Sequence, residues 1–190
     1  MQIATWVVIA VLAAAATYLV LIYNNLVRLK HNVAAAWSNI DVLLKQRHDE
    51  LPKLVETCKQ YMGFERDTLE RVMRARRAVS EARERGDIEA LGGAETQLRQ
   101  GLMNLFAVAE AYPDLKANES FRHLEARITG LENAIADRRE YYNDSVNINN
   151  IRIEQFPDVI VARLLGFGEK RLLRFSAEEK RDPDLARLFS

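Results

Sequence analysis

The sequence predicts an all-α protein: an N-terminal transmembrane helix followed by an elongated antiparallel helical bundle of the four-helix type. Three observations carry that expectation. The run from Ile3 to Tyr23 contains no charged side chain. At about 1.5 Å of helical rise per residue it is long enough to cross the roughly 30 Å hydrocarbon core of a bilayer. Behind it, apolar residues recur every three or four positions, the period of one helical face. Ala, Leu, Glu and Arg are abundant, whereas the 190 residues include only 8 Gly and 4 Pro, a composition that favours helix. No Val/Ile/Thr alternation is long enough for a strand.

Trp6 lies near one end of the apolar run and Tyr18 and Tyr23 near the other, where amphipathic rings favour the membrane interface. The first charge is Arg28, with Lys30 and His31 close behind. No basic side chain precedes the run, so the positive-inside rule expects the N-terminus outside and the bulk of the chain in the cytoplasm. Ala14 and Ala16 form an A-x-A-like site, which makes a cleavable signal peptide the competing reading. Signal peptides carry a basic leader and a shorter apolar core; this run lacks the first and continues through Leu19, Val20, Leu21 and Ile22. A retained anchor over residues 1–25 is expected, then a bundle over 26–170 and a tail over 171–190.

In the bundle, Leu26, Leu29, Val33, Trp37, Ile40 and Leu44 form one stripe, resumed by Leu51, Leu54, Cys58 and Tyr61 and then by Leu69, Val72 and Val79. The phase is kept across Pro52, which predicts one long first helix, kinked by the proline and not reversed. Trp37, in phase with its neighbours, is expected to be buried. The period fades over Arg83–Gly93, where Gly86, Gly92 and Gly93 mark a loop or a frayed start. A second helix then runs to Tyr112, with Leu98, Leu102, Leu105 and Val108 on one face. Pro113 and Asp114 stop it, and Asn118 is placed to cap a third helix that carries Phe121, Leu124, Ile128, Leu131, Ile135, Tyr142 and Val146. The short connection makes these two helices antiparallel neighbours. Val159–Phe167 is too short to span a membrane and reads as a short fourth helix folded back on the bundle, with a membrane-surface segment as the alternative. The mixed-charge tail from Ser176 to Ser190 reads as loose, apart from an apolar end at Leu185, Leu188 and Phe189.

These motifs resemble those of a known family. Tyr23-Asn24-Asn25-Leu26-Val27-Arg28-Leu29, Ala36-Trp37-Ser38-Asn39-Ile40-Asp41-Val42, Leu43-Leu44-Lys45-Gln46-Arg47-His48-Asp49 and Leu51-Pro52-Lys53-Leu54-Val55-Glu56-Thr57 look like the LemA family. So do Ala109-Glu110-Ala111-Tyr112-Pro113-Asp114-Leu115-Lys116-Ala117-Asn118, Tyr142-Asn143 and the Leu164–Phe167 run. Cys58 and Met62-Gly63-Phe64 depart from the family pattern. The resemblance covers about residues 20–170. It implies a bacterial, single-pass inner-membrane protein with a cytoplasmic helical bundle, and it implies no agreed activity.

Composition narrows the function classes. The 27 basic and 27 acidic residues leave the chain formally neutral, which argues against a nucleic-acid binder needing a basic face. Cys58 is the single cysteine, so an intrachain disulfide and a Cys-rich metal site are excluded. His31, His48 and His123 are scattered, without a His-Glu-x-x-His or repeated Glu-x-x-His spacing. No phosphate loop, nucleophile elbow or dinucleotide fingerprint appears, and Ser38 and Cys58 have no visible base partner. No catalytic, cofactor-binding or metal-ligating residue is therefore assigned, and no cofactor is expected. Two polar groupings stand out: Arg47, Glu65 and Arg76 on the apolar stripe, and Asn143, Asn147, Asn149 and Asn150 late in the third helix. Paired polar groups that fix helix register account for them; a ligand or partner site is the competing account.

The leading expectation is a non-enzymatic scaffold held to the lipid bilayer through Ile3–Tyr23 and presenting its bundle to itself or to other membrane-associated proteins. A homo-oligomer is expected, with contacts through the small-residue surface of Ala10, Ala13, Ala14, Ala15 and Ala16 and through Leu26–Leu44. One alternative is a membrane-shaping protein that oligomerises and inserts Val159–Phe167. Another is an enzyme or metal-dependent protein with a site from Arg47, Asp49, Glu65 and the Tyr141–Asn150 cluster.

Overall fold

The computed structural model describes residues 2–174, and over them the chain is helical without strands. The helices are α1 (Gln2–Lys59), α2 (Arg66–Glu84), α3 (Ile88–Ala109), α4 (Pro113–Ala117), α5 (Glu119–Glu154) and α6 (Asp158–Leu165). The expectation of a loose tail from Ser176 to Ser190 lies outside the described residues. α1 runs through Pro52 without a reversal, as the unbroken phase of the stripe requires.

The first helix is not continuous to Val79, however. It ends at Lys59, and a turn over residues 60–65 separates it from α2. Met62 N–H donates to the Cys58 carbonyl at 2.8 Å and Glu65 N–H to the Met62 carbonyl at 3.1 Å, so hydrogen bonding continues through the turn. Buried Met62 plugs its inner side. The α2–α3 connection is tighter than the glycine-rich stretch suggested. Gly86 alone takes a left-handed φ of 66°, and Asp87 caps α3 by accepting from Ala90 N–H at 3.1 Å. Gly92 and Gly93 lie inside α3. At the other expected stop, Pro113 opens the short α4, and Asn118 caps α5 by accepting from Phe121 N–H at 3.0 Å.

Two compact units form, one from residues 2–39 with 140–172 and one from residues 40–139 with 173–174. In the first, every residue from 2 to 21 is exposed, so the apolar run is not the core helix of its own chain. The core begins at Ile22 and Leu26, which cluster with Ile153 of α5 and with Val161 and Ala162 of α6. Farther along, Trp37 meets Tyr142 edge-on at 5.7 Å between ring centroids. Rising numbers on α1 thus pair with falling numbers on α5, and the two run antiparallel. Trp37 is half-buried, not enclosed as expected; its neighbours Val33 and Ala36 take the innermost positions.

In the second unit the apolar stripes of α1, α2, α3 and α5 turn inward: Leu44, Leu51, Leu54 and Cys58 from α1, Val72 and Val79 from α2, Leu91, Leu98, Leu102 and Leu105 from α3, Phe121, Ile128 and Ile135 from α5. α2 and α3 form an antiparallel hairpin in which Gly101 lets Val72 come close. Arg83 to Asp41 at 3.4 Å and Arg127 to Glu50 at 2.9 Å tie α2 and α5 across α1. Leu26, Val33, Ile40 and Leu44 are all buried within the single chain. These four positions of the stripe expected to need a second copy are therefore covered by the chain itself, while Leu29 and Trp37 stay half-buried.

Candidate functional site

The charges that fall on apolar stripes are the first place to look for chemistry. Arg47 of α1 is only 1 % exposed. Its guanidinium donates from Nη2 to Glu95 Oε1 of α3 and from Nη1 to Glu132 Oε1 of α5, the latter at 2.6 Å. Glu95 is 3 % exposed and Glu132 20 %. Burial works against the Arg47 charge, but the two carboxylates outweigh it and hold its pKa above the ordinary value. Burial pushes the Glu95 carboxyl upward, and Glu132 beside it adds to the rise while Arg47 offsets part of it. Arg47 Nε has no partner among the described residues. This is a three-helix ion cluster, with Arg47 and Glu95 buried and Glu132 at its outer edge.

Arg76 answers a different need. Proline has no N–H, so a proline within a helix orphans the carbonyl four residues earlier. For Pro52 that carbonyl belongs to His48, and Arg76 Nε of α2 donates to it at 2.9 Å. The in-phase charge repairs the helix that the proline interrupts. Asp49, by contrast, is exposed, and Glu65 sits half-buried just before α2; neither joins Arg47. His31 and His123 are exposed and His48 is half-buried. Among the described residues, no group of three or more His, Cys, Asp or Glu side chains is placed to hold a metal ion. Cys58 is fully buried, and burial, with Glu125 nearby, pushes its thiol up to about 12.

The Tyr141–Asn150 cluster holds the chain where it returns after α6. Asn150 donates from Nδ2 to the Lys170 carbonyl and accepts from Lys170 N–H through Oδ1, both at 2.9 Å. Buried Asn149 donates to Asn150 Oδ1 at 3.2 Å. Tyr142 donates its hydroxyl to the Arg171 carbonyl at 2.9 Å. An extended segment has no ladder of its own, and these side chains satisfy its backbone. Asn147 is exposed and Asn143 partly so.

Beneath that clamp, Lys30, His31 and Lys170 share a cavity of about 440 Å³ with Tyr23, Leu165 and Phe167. Its lining contains no carboxylate. Tyr23 and Phe167 meet edge-on at 6.1 Å between centroids. α6 stands beside it, pinned by buried Asp158, which takes an ion pair from Arg152 at 3.2 Å. Sequence reasoning missed Glu95, Glu132 and Asp158. The first two were detectable: Glu95 is in phase with Leu91, Leu98 and Leu102, and Glu132 with Ile128 and Ile135. Asp158 carried no periodic signal, because α6 is only eight residues long.

Comparison with known proteins agrees with this architecture. The family described as the LemA family matches over residues 36–186. Magnetosome protein MamQ 2 of Paramagnetospirillum magneticum is 27 % identical over 183 residues, covering 84 % of this chain and 67 % of the relative. Magnetosome protein MamQ of Magnetospirillum gryphiswaldense is 25 % identical over 179 residues, covering 82 % and 66 %. Protein LemA of Metamycoplasma hominis is 26 % identical over 169 residues, covering 87 % and 74 %.

Proposed function

Because the chain belongs to the LemA family, we propose that it is a non-enzymatic, membrane-tethered scaffold whose helical bundle presents a docking surface to other membrane-associated proteins. One observation carries the reading. The 58-residue α1 exposes its apolar first third entirely and then enters a packed core without interruption, so one continuous helix joins a span-length apolar surface to the bundle. The fate of the inward charges supports the non-enzymatic part: Arg47 and Arg76 are spent on internal partners. The relatives named as magnetosome proteins fit a membrane setting. In this reading the segment before Arg28 crosses a bacterial inner membrane with its start outside, and the bundle is cytoplasmic. Self-association, as part of the proposal, runs through the exposed alanine surface at residues 10–16 and not through the covered stripe at residues 26–44.

The test is extraction from native membranes in mild detergent, with the mass of the complex and the identity of co-purifying proteins measured together. Defined partners or a multimer support the scaffold; a lone monomer without partners overturns it. Orientation is read from single cysteines at Gln2 and Glu119 in a Cys58→Ser background. An impermeant thiol reagent on intact spheroplasts should label position 2 and spare position 119, and the reverse pattern refutes the topology.

A further inference from the structure

α6 has two faces, and one of them has no partner among the described residues. Asp158, Val161 and Ala162 are buried, and the last two pack on Ile22 and Leu26. Turning 100° per residue, the opposite side carries Ile160 and Leu164, and Phe156 stands in the turn just before α6. Phe156 is 82 % exposed, Leu164 77 % and Ile160 50 %. A short helix that is apolar on both sides belongs in a core or against lipid, and among the described residues no core lies outside this face. Its position along α1 decides between them. Ile22 and Leu26, on which α6 rests, stand at the end of the apolar run whose residues 2–21 are exposed. If that run fills the hydrocarbon layer, α6 lies at the headgroup level beside it. The Arg152–Asp158 pair fixes the rotation of α6 so that the stripe stays outward.

The adjoining cavity has matching polarity. Tyr23, Leu165 and Phe167 form its apolar side, and Lys30, His31 and Lys170 its basic side. Lys30 lies about 10 Å beyond Tyr23 along the helix axis. The headgroup layer adds roughly 5–8 Å to the hydrocarbon, and a lysine stem reaches back several ångströms. Asn150 hydrogen-bonds both the N–H and the carbonyl of Lys170, which fixes the backbone from which that side chain rises.

We propose that Phe156 and α6 form a second membrane contact, with Phe156, Ile160 and Leu164 dipped into the acyl boundary and the phosphate of an anionic phospholipid held by Lys30, His31 and Lys170. The proposal rests on the anchor reading above and adds a site to it. An interfacial helix of this kind binds through buried apolar area together with attraction to anionic lipid. It gives the chain a second point of attachment beside the anchor, which a single tether does not.

The test uses the full chain with Cys58→Ser in phospholipid nanodiscs, carrying a polarity-sensitive fluorophore on one cysteine at a time and spin-labelled lipids as quenchers. Labels at Ile160→Cys and Leu164→Cys should be quenched at least twofold more strongly by a shallow spin label than by a deep one. A label at Val11→Cys should show the opposite preference, and one at Gln97→Cys should escape quenching. If position 11 is quenched while 160 and 164 behave like 97, the second contact is overturned and the anchor stands. If position 11 also escapes, the anchor fails and the proposal with it. Adding phosphatidylglycerol to phosphatidylcholine discs should raise quenching at position 160 by about twofold, and Lys30→Gln with Lys170→Gln should abolish that rise. Equal quenching in neutral and anionic discs overturns the headgroup assignment.

Discussion

Replacing Arg47 with methionine should destabilise the bundle severely, and by an amount that depends on pH. Methionine keeps much of the apolar stem, so the change removes the charge and five donors without opening a large cavity. Glu95, 3 % exposed, is then a buried carboxyl that has lost its hydrogen-bonded cation and keeps only the weaker attraction of Arg139. Breaking one side of such a pair costs about 3–5 kcal/mol, because the partner charge is left uncompensated. For a domain of this size that is a fall in Tm of roughly 10 °C. The sign of the pH effect follows from Glu95. Burial already holds its folded pKa above the ordinary value, and losing Arg47 raises it further. A carboxyl raised in the folded state contributes stability below its unfolded pKa of about 4.3, and that contribution is lost as pH rises through the folded pKa. The deficit of Arg47→Met relative to the parent should therefore be largest at neutral pH and shrink towards about pH 5. Urea unfolding of the full chain in detergent, followed by far-UV circular dichroism at both pH values, measures it. Adding Glu95→Leu should recover most of the loss, because Glu132, 20 % exposed, can turn to water. A deficit under about 1 kcal/mol that ignores pH would mean the cluster is solvated, and the reasoning from burial would be wrong.

Three further outcomes follow from single contacts. Arg76→Met should cost about 1.5 kcal/mol in the parent, the low end for a hydrogen bond from a charged donor because the contact is only part-buried. The cost should be much smaller alongside Pro52→Ala, where the new backbone N–H at position 52 serves the His48 carbonyl; strictly additive effects would refute the repair role. Gly92→Ala places a Cβ 2.0 Å from the Arg174 carbonyl oxygen and should destabilise by about 1–3 kcal/mol through overpacking. Gly93→Ala meets nothing within 4 Å and should instead stabilise by about 0.5–1 kcal/mol through helix propensity, both read from urea midpoints. Cys58, buried and raised to about 12, should react with thiol reagents at neutral pH far more slowly than in urea-unfolded chain; equal rates would place it at the surface.

What the sequence makes legible is what depends on neighbours a turn away. The apolar run, the stripes of α1, α3 and α5 and the Asn118 cap are all local patterns, and each stands in the structure. The break at residues 60–65 escapes because no local pattern marks it. Leu54, Cys58 and Tyr61 stay in phase with Leu69 and Val72, a single glycine lies in the turn, and Glu65 supplies no side-chain cap to α2. The error at Gly92 and Gly93 runs the other way. Glycine reads locally as a breaker, yet Gly92 sits inside a helix because the chain after α6 crosses there with no room for a Cβ. That cause lies far along the chain, beyond any periodicity.

The in-phase charges sharpen the point. Arg47 and Arg76 look alike on a helical wheel, and the shared signal says only that each must find a partner. One partner is a pair of carboxylates on two other helices; the other is a backbone carbonyl freed by a proline 24 positions away. In both cases the polar group is consumed inside the fold. Among the described residues, the basic side chains near Tyr23 and the apolar stripe of α6 remain exposed. Neither is explained by packing among the described residues, and both stand where the apolar part of α1 ends. With Arg47 and Arg76 engaged inside the fold, the proposed function is to be sought at that end.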